Sequence, residues 1–138
     1  MDPSTARELD GIIASLLPEL VEIRRDLHAH PQLAYQETYA ASRAAEWLSR
    51  SGVPFQAGVA KTGLVAWLLP EGDSQRGAKA VLLRADMDAL PIQEETGVPY
   101  ASTFPGVMHA CGHDGHTAML LGAASVLARK REIGRAHV

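Results

Sequence analysis

Apolar positions recur at helical spacing over residues 5–30, where Leu9, Ile12, Ile13, Leu16, Leu17, Leu20 and Ile23 mark one stripe. Pro18 interrupts that run and predicts a break or kink, with a new first turn near it. Pro31 ends it, because the residue before a proline avoids helical angles. A second helix is predicted over 37–50, with Ala40, Ala44, Trp47 and Leu48 on one face. Gly52 is placed to cap its C-terminus, and Pro54 prevents continuation.

Strands are expected next: a short one at 55–59, then two apolar runs at 63–69 and 78–85. The polar connection 70–77 between those runs reads as a hairpin link. Val81, Leu82 and Leu83 are apolar on consecutive positions, which predicts a strand covered on both faces. A loop rich in turn residues spans 86–112. A last helix is expected from His113 or Gly115 to about 131, packed through Ala118, Leu121, Ala124, Ser125 and Leu127. This order predicts an α/β fold, a mixed sheet covered by helices. Sites in such folds gather at the carboxyl ends of strands, and here polar residues cluster between the last strand and the last helix.

The 138 residues suffice for one domain, with 46% apolar and 21% charged residues, an ordinary globular balance. A formal charge of -3 gives no reason to expect nucleic acid or an anionic membrane as partner. No apolar run is long enough to span a bilayer, and the first residues lack the pattern of a secretory signal, so a cytoplasmic location is expected. The single cysteine, Cys111, excludes an internal disulfide.

Three stretches hold candidate chemistry. At the end of the last apolar run, Asp86 and Asp88 alternate with Ala85 and Met87, so on an extended chain both carboxylates point the same way. Like charges so placed repel unless a cation or proton lies between them. A solvated, aspartate-capped turn is the competing reading. The second stretch runs from Met108 to His116 and holds Cys111 and three of the chain's six histidines, His109, His113 and His116. Thiolate and imidazole are zinc ligands, at roughly 2.3 and 2.0 Å. An i, i+2 pair converges on one ion only where the backbone turns sharply, which Gly112 permits. Asp114 is placed to accept a ring N–H from a ligating histidine. Two ligands do not complete a site, and a loop with chance histidines is the alternative. The third stretch is Arg24-Arg25-Asp26-Leu27-His28-Ala29-His30, where Arg24 and His28 share a helix face. It reads as a solvated polar face ending a helix, with His30 unremarkable.

Together, Arg-Arg-Asp-Leu-His at 24–28, Arg-Ala-Asp-Met-Asp-Ala-Leu-Pro at 84–91 and Met-His-Ala-Cys-Gly-His-Asp-Gly-His-Thr-Ala at 108–118 resemble the hippurate hydrolase and indole-acetyl-amino-acid hydrolase branch of the aminoacylase/carboxypeptidase superfamily. The resemblance implies the truncated catalytic domain of a zinc-peptidase-like fold. Residues 1–131 would be its incomplete N-terminal part and 132–138 a non-native tail without a counterpart in the pattern. It implies that Cys111 and His113 are two ligands of a paired divalent-metal site, holding zinc, manganese, nickel or cobalt. Asp88 falls at the position of the catalytic aspartate. Asp86 stands where the wider superfamily has a metal-binding histidine; with Asp114 and His116 it is a possible ligand or ligand support. Gln32 stands where glutamate is usual after His-Pro, and is read as a surface or hydrogen-bonding variation. The implied activity is cleavage of the amide bond of N-acyl amino acids or related small amides by metal-activated water. The general-base glutamate, the remaining ligands and a smaller domain that often forms homodimers belong downstream of this sequence. The piece alone is therefore expected to be inactive. A metal-binding or structural module without catalysis is the alternative.

Overall fold

A computed structural model of the chain describes residues 2–69 and 79–130. The 70–77 connection and the 132–138 tail lie outside the described residues.

Helix α1 (Pro3–Ala29) begins where Asp2 caps it, accepting from the backbone N–H of Ser4 at 3.1 Å and Thr5 at 3.4 Å, with Pro3 in the first turn. It ends just before Pro31, as expected. Of the break or kink expected at Pro18, the break is not found; the helix runs through it. A mid-helix proline forfeits the hydrogen bond to the carbonyl four residues back. Packing on both sides of it, at Leu16, Ile23 and Leu27, holds the two halves in one helix. The apolar stripe is broader than the core it serves, since Ile13 and Leu17 stay exposed.

Helix α2 (Thr38–Arg50) buries the predicted face, Ala40, Ala44, Trp47 and Leu48. Gly52, at φ +67°, takes the left-handed step after its end. Strands β1 (Phe55–Val59) and β2 (Gly63–Ala66) form an antiparallel hairpin with a bulge between Ala57 and Val59. Helix α3 (His113–Arg129) packs mainly on α1. Gly122 brings the two together: a Cβ there would meet Leu20 Cδ1 at 2.8 Å. Ala118, Leu121 and Ser125 are buried on this face as expected, whereas Leu127 is exposed. Trp47 joins α2 to α3, its Nε1 donating to Ser125 Oγ at 2.8 Å and Leu121 O at 3.2 Å.

The chain is α/β, three helices with a two-stranded antiparallel sheet among the described residues. The strand expected at 78–85 is corrected within the described residues: 79–88 form no ladder. Val81 and Leu82 are 87% and 88% exposed, where cover on both faces was expected. An apolar run becomes a buried strand only when neighbours pair and cover it. Sheet-like pairing resumes just beyond, with Leu33 parallel to Ala89 and Leu90 antiparallel to Met108. Leu90 and Met108 exchange backbone hydrogen bonds of 2.9 and 3.0 Å. That clasp closes the 86–112 loop and brings the acidic stretch beside the cysteine-histidine stretch. No helix among the described residues is long and apolar enough to cross a membrane.

Candidate metal centre

The clasp sets Asp88 against the start of α3. His113, the first residue of that helix, donates from Nδ1 to both Asp88 Oδ1 and Asp88 O, each at 3.0 Å. With Nδ1 engaged, Nε2 is the nitrogen presented for ligation, as in a carboxylate–histidine–metal arrangement. Gly112 lies between His113 and Cys111 at φ +82°, ψ +19°, the left-handed conformation that makes an i, i+2 turn. Cys111 is exposed on that turn. A soft thiol and a properly held imidazole fit one side of a zinc-type centre. Among the described residues no group of three or more donors forms a complete site.

The other expected positions separate. Asp86 turns its carboxylate to Arg84 at 2.6 Å, and its carbonyl accepts from Thr117 Oγ1 at 3.1 Å. The two aspartates thus face different partners, Asp86 the Arg84 guanidinium and Asp88 the His113 ring. His116 is exposed, its ring centroid 5.5 Å from that of His113. Asp114 does not accept from the histidine expected to ligate, because Asp88 takes that N–H. The Asp114 side chain instead turns into the core, only 1% exposed as a residue, and meets α1.

The stretch read as a solvated face is the main correction. His28 is 4% exposed. Its Nδ1 lies 2.7 Å from Asp114 Oδ2 and its Nε2 3.1 Å from Glu94 Oε1, so the ring bridges two carboxyl groups. Arg24 Nε adds a 3.0 Å ion pair to Asp114. Burial pushes the Glu94 carboxyl up, but the Ser102 N–H, the Thr96 hydroxyl and the His28 ring outweigh it and bring it down to about 2. Tyr100 closes the cluster, its ring 5.2 Å from the guanidinium carbons of both Arg24 and Arg25. The signal was present in the sequence: Leu20, Arg24 and His28 form one i, i+4 row that continues the buried stripe. His30 is half-buried and stacks on Tyr39 at 4.5 Å. Gln32 does hydrogen-bond, accepting the Tyr39 N–H at 2.6 Å in the first turn of α2.

A cleft of about 410 Å³ lies beside the turn, lined by Arg24, His28, Glu94, Tyr100, His109 and Cys111 among others. His109 is buried there with Nδ1 unpaired among the described residues; burial, ahead of the opposing pull of Asp114, lowers its pKa and keeps it neutral. A larger cleft, about 870 Å³, runs between α1 and α2 past Leu17, Trp47 and Arg50 and touches none of these groups.

The turn thus brings together an imidazole held by Asp88 and a thiol on a left-handed glycine. Residues 82–138 match the peptidase family M20/M25/M40. "Probable hydrolase sll0100" of Synechocystis sp. is 50% identical over 122 residues, 88% of this chain and 30% of that protein. The N-acyl-L-amino acid amidohydrolase of Geobacillus stearothermophilus is 42% identical over 134 residues, 97% of this chain and 35% of that protein. Among solved structures, the Bacillus subtilis YXEP protein, a dinuclear metal binding peptidase from the M20 family, superposes with a TM-score of 0.78. It is 39% identical, over 86% of this chain and 32% of that one. The chain spans about a third of the length of the curated relatives it matches. These matches liken the chain to part of the M20 proteins; they do not single out the hippurate hydrolase branch.

Proposed function

We propose that this chain forms one side of a two-metal centre in an amidohydrolase that cleaves N-acyl amino acids or related small amides. The carrying observation is the Cys111-Gly112-His113 turn with Asp88 on the ring nitrogen that faces away from the ligating one. The relatives support the reading: one is named for N-acyl-L-amino acids and another is described as binding two metals.

In this reading Cys111 and His113 are ligands. They would hold one side of a divalent-metal pair, which would supply Lewis acidity toward water and the scissile carbonyl. Asp88 fixes the His113 tautomer and strengthens its basicity through Nδ1. In this reading the general base and further ligands belong to the part of the relatives' length that these 138 residues do not span.

Cobalt is the probe for the ligands. A Co²⁺ titration of the chain is expected to give a thiolate-to-cobalt charge-transfer band, and Cys111→Ser to abolish it, since a protonated hydroxyl replaces a soft thiolate. An unchanged band in the variant removes Cys111 from the ligand set. Release of free amino acid from N-acyl substrates by the product of the complete gene tests the reaction. Metal uptake without cleavage of any amide would leave a metal-binding module and end the enzyme reading.

A further inference from the structure

The turn that presents Cys111 and His113 has no cap of its own. Gly112 is the N-cap of α3 and supplies no side-chain hydrogen bond. The first helical bonds, from Gly115 and His116 N–H to Gly112 O, are 3.0 and 3.1 Å. Asp114, the second residue of the helix, anchors this turn from the side by reaching α1. Of its two partners, Arg24 is a long side chain one-third exposed, whereas His28 is buried and held from its far side by Glu94. Glu94 in turn accepts from Ser102 N–H at 2.6 Å and from the Thr96 hydroxyl, so the loop end of the bridge is itself tied down. A short rigid ring between two fixed carboxylates loses less freedom on ordering than a flexible guanidinium stem does.

We infer that His28 is a positioning residue for the metal turn. By joining Asp114 to Glu94 it fixes the first turn of α3, and with it the His113 ring and the Cys111 loop, before a cation arrives. The effect on ligation rests on the reading of Cys111 and His113 as ligands; the effect on the turn does not.

The test uses the 138-residue chain, comparing wild type with His28→Ala and Glu94→Gln, the second acting from outside α1 should the first fail to fold. Metal-free hydrogen exchange at the Gly115 and His116 amides is measured against amides in the middle of α2, and Co²⁺ affinity is read from absorption. Faster exchange confined to the start of α3, with Co²⁺ affinity lower by about tenfold or more in His28→Ala and less in Glu94→Gln, is expected. Unchanged exchange at Gly115 and His116 in both variants overturns the inference. So does faster exchange that is equal in α2, which is general destabilisation. Confined exchange with wild-type Co²⁺ affinity overturns the ligand-positioning role. If wild type binds no Co²⁺, ligation by Cys111 and His113 within this chain fails, while a confined exchange change still upholds His28 as what orders the turn.

Discussion

Asp88→Ala isolates what a carboxylate contributes to a metal site through a histidine it touches. The His113 N–H has two acceptors at 3.0 Å, the Asp88 side chain and the Asp88 carbonyl, and only the first is removed. Partners of this kind are typically worth about 10–100-fold in metal affinity. The surviving carbonyl keeps the ring in the same tautomer. The pair is also partly solvated, with side chains 17% and 30% exposed, which weakens the charge that is lost. Both facts place the effect at the lower bound, about tenfold, or about 1.4 kcal/mol of binding free energy. Zn²⁺ competition against a chromophoric chelator near neutral pH measures it, and urea unfolding of the metal-free variant checks that folding stability moves by less than about 1 kcal/mol. A change below about twofold would refute the argument that Asp88 tunes His113. A loss far beyond about 100-fold would also refute it, because an outer partner does not carry that much and Asp88 would then be a ligand itself.

Trp47→Phe keeps the buried ring but removes the donor to Ser125 and Leu121 O, and Ser125 retains Ser51 at 2.9 Å; we expect a loss of about 1–2 kcal/mol, seen as a lower urea midpoint at unchanged slope. Glu94 titrates near 2 when folded and near 4.5 when free, so the unfolded chain takes the proton first as pH falls. The stability Glu94 contributes is whole above about pH 4.5 and is lost as pH falls toward 2, and Glu94→Gln should flatten that part of a pH–stability curve. Among the described residues Val81, Leu82 and Leu83 have no strand partner and expose apolar side chains, so the chain should self-associate with concentration in sedimentation, and Leu82→Lys should reduce it.

The local periodicities carried far. The α2 face and the β1 span were read from spacing alone, because each depends on neighbours a few residues away. The turn between Cys111 and His113 was legible because Gly112 permits the left-handed step it takes at φ +82°. The fate of Pro18 was not, since whether a helix survives a proline is decided by what packs on both sides. The same holds for Val81 to Leu83, whose sequence encodes burial that the described residues do not supply. His28 was misjudged for a different reason: its two partners lie 66 and 86 residues away, and only the Leu90–Met108 clasp and the α1–α3 contact bring them to it. A polar residue on an apolar row was the available hint.

Gly112 has open space where a β-carbon would stand, with no atom within 4 Å. Replacing it therefore causes no collision, and the penalty for alanine comes from the backbone angle alone, about 1–2 kcal/mol. Asparagine, which tolerates that angle best among residues with side chains, should be the mildest replacement. A series of substitutions at this one position would thus calibrate how much free energy the protein invests in holding its two donors at a fixed separation.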